Sequence, residues 1–373
     1  SLHRRVPMRR ALEMNSVRNP SPRLANMVPY DPKYMPAQCM MSANENPRDI
    51  PEEVRHEVVH ALRNLAFNRY PDPLAQDLRQ AIADANGLDQ DNVLMGNGGD
   101  ELLFDIALAW GGKGRTFLNI PPTFSVYENN AQLTGTTVVN IPRRADYSID
   151  EEAVLTRLAQ GDIDYVIIAS PNNPTGQLAD ETFLMKVLDA SDALVVVDEA
   201  YFEFSRTTMR PYLAQHRNLM ILRTFSKAFC LAGVRMGYVL ANASLIRELI
   251  KVRQPYSVDA VSQQIACAVF KHRECFERGI LDIIDQRSWL IQELTATDGV
   301  KPYPSDSNYI LFKVESMDAH EVWEQLYQRG ILIRDFSNGL YTSQCLRVSV
   351  SSEEDNQTFI EALRSILKGE AYE

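Results

Sequence analysis

Short, uninterrupted apolar runs recur along the first two thirds of this 373-residue chain, separated by stretches whose apolar residues return every three or four positions. Runs of the first kind are what strands covered on both faces look like, and the second spacing is that of a helix with one buried stripe. The pattern predicts strands over Asn92–Met95, Thr116–Ile120, Thr137–Ile141, Tyr165–Ala169, Leu194–Val197, Leu219–Leu222 and Met236–Ala241. Helices are predicted between them, for example over Glu101–Trp110 and Asp180–Ala190. That alternation implies an α/β domain with a mostly parallel, seven-stranded sheet between helices. From about Gln254 the texture changes to longer amphipathic helices, Ile284–Thr295 and Ala319–Arg329, with two short strands, Tyr309–Val314 and Leu346–Val350. This predicts a smaller α+β domain. The division expected is an N-terminal arm and part of the small domain over 1–66, a large domain over 67–253, and the small C-terminal domain over 254–373.

Composition changes this picture little. A hydrophobic share of 45% and a charged share of 23% are those of an ordinary globular protein, and a net charge of −11 argues against a nucleic-acid-binding body. No stretch approaches eighteen consecutive apolar residues, so no membrane span is expected. The five cysteines form no C-x-x-C pair and the six histidines show no metal-ligand spacing. Reduced thiols, a cytoplasmic setting and no metal site are the expectation. Residues 1–26 hold six arginines and the single acid Glu13, which reads as a flexible arm rather than a transit peptide.

In open α/β sheets ligands bind at the carboxyl ends of the strands, and the residues just past those ends are informative here. After the first strand come Gly96-Asn97-Gly98-Gly99-Asp100-Glu101, a glycine turn that feeds a helix N-terminus and suits a phosphate. After the fourth comes SPNNPTG (170–176), by itself a tight turn. After the fifth comes Asp198, an acid at the end of a VVV strand, costly to bury without a cationic partner. Between the last two strands lie Ser226, Lys227 and Arg235, and a lysine placed there is desolvated enough to make its amine a usable nucleophile. Phosphate, aldehyde for the lysine and protonatable ring nitrogen for the aspartate together describe pyridoxal 5′-phosphate.

The series SPNNPTG, VVVDEAY and TFSKAFCLAGVRMGY resembles the fold type I aminotransferases, and within them the histidinol-phosphate aminotransferase family. SANENP (42–47), NRYPDP (68–73), GNGGDEL (96–102), PPTFSVY (121–127), SNYILFKV (307–314), GILIRDF (330–336) and LRVSVSSEEDNQTFIEALR (346–364) agree, so the likeness spans nearly the whole chain. It implies that Lys227 links to the cofactor aldehyde and carries the proton, and that Asp198 pairs with the pyridine nitrogen. Tyr201 and Asn173 would meet the phenolic oxygen, and Phe124 would stack on the ring. Ser226, Arg235 and the backbone around Gly99 and Asp100 would hold the phosphate, the acids Asp100 and Glu101 turning their side chains away to help cap the helix. Tyr70 would reach the phosphate of the other subunit, which implies a homodimer. Tyr30, Asn44, Arg334 and Arg347 would bind the substrate. The implied reaction passes an amino group from histidinol phosphate to 2-oxoglutarate, giving imidazole acetol phosphate and glutamate, in histidine biosynthesis. A threonine-phosphate decarboxylase and an aromatic-amino-acid aminotransferase share most of these residues and stay open.

Overall fold

The computed structural model describes residues 17–372. Most of the arginine-rich start therefore lies outside the described residues, and Arg18 and Arg23 within them are exposed.

A two-residue strand, β1 (Cys39–Met40), precedes the main sheet. That sheet is built from β2 (Val93–Asn97), β3 (Thr116–Asn119), β4 (Thr137–Asn140), β5 (Tyr165–Ala169), β6 (Leu194–Asp198), β7 (Leu219–Thr224) and β8 (Met236–Ala241). The spatial order is β2-β8-β7-β6-β5-β3-β4, with β8 antiparallel to both neighbours and the other pairings parallel. The expected mostly parallel sheet of seven strands is the one observed. Every residue of β5, β6, β7 and β8 is buried. Alternation along β6 sends Val195 and Val197 to one apolar layer and Leu194 and Val196 to the other. One layer is closed by helices Gly98–Trp110, Val126–Thr134 and Ala243–Val252, the other by helices that include Glu181–Ala190 and Ala260–Lys271.

Helix starts follow their caps. Asp180 lies just outside Glu181–Ala190, and its carboxylate accepts the Phe183 N–H at 3.1 Å. The C-terminal part carries a four-stranded sheet in the order β12-β13-β10-β9, from β9 (Val300–Pro302), β10 (Tyr309–Val314), β12 (Arg334–Asp335) and β13 (Cys345–Ser349). A further strand, β11 (Ile331–Leu332), pairs in parallel with β1. Helices Glu277–Thr295, Ala319–Gln328 and Glu353–Leu367 accompany these strands. Among the described residues no helix is long and apolar enough to cross a membrane.

One close approach fixes where the main sheet meets its first helix. A Cβ added at Gly237 of β8 would lie 2.7 Å from the Gly99 N, so the strand packs hard against the turn that opens Gly98–Trp110. Gly98 itself has φ +74°, and a Cβ there would lie 2.6 Å from Arg235 Nη2.

Candidate active site

A cavity of about 360 Å³ opens at the carboxyl ends of β5, β6 and β7, and residues from β12 and β13 close its other side. Lys227, Asp198, Tyr201, Gly99, Asp100, Phe124, Asn173, Ser226, Arg235, Tyr30, Asn44, Arg334 and Arg347 all line it. Tyr70 does not. It is 81% exposed and stacks on Tyr256 with ring centroids 4.5 Å apart, away from this chain's own cleft.

Lys227 follows β7 and donates from Nζ to the Ala43 carbonyl at 2.9 Å. Burial and the charge of Arg347 hold its amine down at about 8, with Arg235 adding to the effect and Glu45 and Asp100 opposing it. Asp198 ends β6, buried. Its Oδ2 accepts the Tyr127 hydroxyl at 2.5 Å and its Oδ1 the Ala200 N–H at 3.0 Å. Burial pushes its carboxyl up to about 6 in spite of those two donors, and Asp100 and Glu199 reinforce the rise. Among the described residues no lysine or arginine pairs with it, so this carboxylate lacks a cation.

Tyr201 is buried, accepts the Asn44 side-chain N–H at 3.1 Å and meets the Tyr309 ring edge-on at 5.0 Å. Asn44 itself has φ +56° and is locked on three sides. Its N–H donates to Ser349 Oγ at 2.8 Å, the same hydroxyl donates to its Oδ1 at 3.1 Å, and Asn308 donates to its carbonyl at 3.0 Å. Phe124 presents its ring to the cleft, with Tyr30 edge-on at 6.1 Å and Tyr127 at 5.6 Å.

Two expectations need correction. Asp100 does not turn away from the anion site: its Oδ2 receives Arg235 Nη2 at 3.0 Å, because the first helical turn faces the end of the β7–β8 loop. Glu101 makes no cap either, since its Oε1 is buried without a partner beside Asp105 and Arg253. Asn173, for its part, accepts from Arg347 Nη1 through its side-chain oxygen.

Arg334 and Arg347 are direct cross-strand partners on β12 and β13. Like charges so placed repel unless an anion joins them. Arg347 is buried between the Tyr309 and Phe336 rings, 5.3 Å from each centroid, and donates from Nη2 to the Ser42 carbonyl at 2.7 Å. Its Nε is buried without a partner. Arg334 donates to the carbonyls of Pro32 and Asp31 at 2.7 and 2.9 Å, its guanidinium 5.8 Å from the Tyr30 ring centroid.

These features suit pyridoxal phosphate point by point. A buried carboxylate without a cation fits a protonated ring nitrogen, and a depressed lysine amine fits an aldehyde. Arg235, Ser226 and the helix N-terminus, with Gly98 in the left-handed region beside Arg235 and Gly237 packed on the Gly99 N, fit a phosphate.

Sequence reasoning missed Tyr127, whose hydroxyl is the closest side-chain neighbour of Asp198. It lies in PPTFSVY three residues after Phe124, in the first turn of the helix that Phe124 precedes, and its nearness to Phe124 was the available signal. Also missed was the layer beneath the site. Glu199 and Arg223, both nearly fully buried, pair at 3.0 Å, and Thr208 and the Met209 N–H complete the Glu199 carboxylate.

The model of the family described as Aminotransferase class I and II matches residues 37–363. A histidinol-phosphate aminotransferase of Caldanaerobacter subterraneus subsp. tengcongensis is 38% identical over 91% of this chain and 95% of that protein. The crystal structure of the histidinol-phosphate aminotransferase from Sinorhizobium meliloti in complex with pyridoxal-5′-phosphate superposes with a TM-score of 0.86 at 23% identity, covering 95% of this chain and 99% of that one. That of L-threonine-O-3-phosphate decarboxylase from Porphyromonas gingivalis gives 0.79 at 26% identity, covering 88% and 99%. With a family model over most of its length and a near full-length relative above 30% identity, this chain belongs to the class I and II aminotransferases.

Proposed function

We propose that the chain uses pyridoxal phosphate to move the amino group of histidinol phosphate onto 2-oxoglutarate, giving imidazole acetol phosphate and glutamate, a step of histidine biosynthesis. The observation that carries the substrate reading is the Arg334–Arg347 pair: two guanidinium groups opposite one another in the cleft, without a carboxylate partner among the described residues. The names of the full-length relatives point the same way.

When bound, pyridoxal phosphate supplies an aldehyde that takes up the substrate amine and a ring that accepts the electrons released from Cα. The chain supplies the rest. Asp198 holds a proton on the ring nitrogen by its charge. Lys227, with an amine near 8, would hold the aldehyde and would move the proton at the substrate's Cα. Tyr201 and Asn173 orient the phenolic oxygen, Phe124 covers the ring face, and Ser226 and Arg235 grip the phosphate. Arg334 and Arg347, with Tyr30 and Asn44 beside them, hold the phosphate of the amine in one half-reaction and the carboxylates of glutamate in the other. We read the working unit as a cytoplasmic homodimer in which Tyr70, exposed on its own subunit, reaches the cofactor phosphate of the partner. The large unit of 67–253 then carries the cofactor, and the small unit from the remaining residues the arginine pair.

The test is substrate discrimination. A guanidinium left without its anion costs about 1.5–3 kcal/mol, so two are worth on the order of 10²–10⁴ in kcat/KM. Histidinol phosphate should exceed histidinol by at least about 10², and Arg334→Ala should erase much of that preference. Equal kcat/KM for the two amines sinks the reading. Carbon dioxide release from threonine phosphate would replace it with the decarboxylase that the Porphyromonas gingivalis likeness keeps in view, and a rate with phenylalanine equal to that with histidinol phosphate would replace it with an aromatic aminotransferase.

A further inference from the structure

Both carboxylate oxygens of Asp198 are held by a single donor each, but the donors differ in kind. Ala200 donates from the backbone two residues on, and its position follows from the turn itself. Tyr127 donates from helix Val126–Thr134, seventy-one residues away in sequence, and its hydroxyl has no other partner among the described residues. The phenol is buried, at 2% exposure, so water does not compete for that bond. Burial and the Asp198 charge both push the phenol well above its ordinary range, which leaves it a donor throughout the working pH range.

The other end of Tyr127 is tied to the cofactor face. Its N–H donates to the Phe124 carbonyl at 3.2 Å, and its ring meets Phe124 edge-on at 89°. The tight turn that leads into this helix therefore carries both the Phe124 ring that lines the cleft and the donor that completes the buried carboxylate. If Asp198 lacked that donor, its charge would face burial, Asp100 and Glu199 with only the Ala200 N–H in compensation.

We propose that Tyr127 is a positioning residue for the aminotransferase chemistry: it keeps Asp198 ionised and aimed, and so keeps the cofactor's ring nitrogen protonated. The proposal rests on the pyridoxal-phosphate reading of the cleft. Tyr127 lines the cleft, but its hydroxyl is spent on Asp198, and it is through Asp198 that it acts.

A double-mutant cycle on cofactor affinity tests it. Cofactor-free wild type, Tyr127→Phe, Asp198→Asn and the double variant are titrated with pyridoxal phosphate by equilibrium dialysis. A hydrogen bond to a charged group is worth about 1.5–3 kcal/mol, so Tyr127→Phe should weaken binding by roughly 10- to 100-fold. In the Asp198→Asn background the same change should cost less than about threefold, because no charge remains to hold. Equal losses in the two backgrounds, or no loss in either, overturn the proposal in favour of a tyrosine that only fills space. Ring-¹⁵N-labelled cofactor gives a second reading: the nitrogen resonance should move toward its unprotonated position in Tyr127→Phe, and an unmoved resonance overturns the proposal. Should the phenylalanine variant fail to fold, Tyr127→His enters the same cycle with a donor at the same helical turn, and should weaken binding less than Tyr127→Leu; equal weakening by the two overturns it. Failure of the wild type to bind the cofactor at all would instead sink the pyridoxal-phosphate reading itself.

Discussion

The titration of Lys227 tests how the cleft is charged. A lysine amine at its ordinary value near 10.5 is neutral in about three molecules per ten thousand at pH 7, whereas one near 8 is neutral in about one in ten, a gain of roughly 300-fold in nucleophile. The causes are burial and, among charges, Arg347 first, opposed by Glu45. Mixing cofactor-free chain with pyridoxal phosphate at a series of pH values, following absorbance, and trapping the product with borohydride reads this amine directly. The rate should rise through a midpoint of about 8 and level off above it, with the label on the peptide that contains Lys227 and none in Lys227→Ala. Arg347→Met removes a neighbouring cation and should move the midpoint up; Glu45→Gln removes a neighbouring anion and should move it down. A wild-type midpoint near 10, or two variants that shift it in the same direction, would refute the electrostatic account. The same group is linked to folding. Its folded value lies below its unfolded one, so between about 8 and 10.5 the unfolded chain holds a proton that the native chain lacks. The contribution of Lys227 to stability therefore grows as pH rises across that window, and its full cost is felt below it.

Two further outcomes follow from the geometry. If Tyr70 serves the partner's site, Lys227→Ala chains mixed with Tyr70→Ala chains should regain activity in heterodimers, each with one site bearing both lesions and one bearing neither; exchange without recovery counts against a shared site. The buried Glu199–Arg223 pair should behave as such pairs do, with Arg223→Met costing about 3–5 kcal/mol, equivalent to a Tm drop of roughly 4–6 °C for a chain of this size. Differential scanning calorimetry checks this, and the double replacement with Glu199→Leu should recover part of the loss; an additive loss would mean the two residues do not act as a pair.

The sheet was legible because its strands are covered on both faces, which leaves their apolar runs unbroken. Its edges were less so. β6 and β7 extend past the apolar run into Asp198 and into Arg223 and Thr224, since backbone pairing continues where hydrophobicity stops. The reversed direction of β8 was readable in principle. Only residues 225–235 connect it to β7, with no helix among them beyond a 3₁₀ turn, and a parallel crossover needs a longer connection. The two-residue strands β1, β11 and β12 carry no period at all, and so the pairing that sets Arg334 opposite Arg347 had no signature in sequence.

The candidate site divides in the same way. Residues that present chemistry to a ligand sit just past strand ends, where polarity interrupts an apolar run, and all of those expected within one subunit line one cleft. Residues that face other residues were hidden: Tyr127 reads as one more apolar position on a helix, and the carbonyls of Ser42 and Ala43 have no side-chain signature. Asp100 stands between the two groups, and its pairing with Arg235 looks at first like an obstacle to phosphate. The two side chains, Arg235 and Asp100, are 45% and 59% exposed, and an ion pair in that setting is worth about 0–1 kcal/mol. A phosphate held by the Arg235 fork and by N–H groups of the helix start makes several hydrogen bonds of about 1.5–3 kcal/mol each, more than enough to displace one exposed carboxylate. Asp100 then costs the site little when it is filled, and gives Arg235 a partner when it is not.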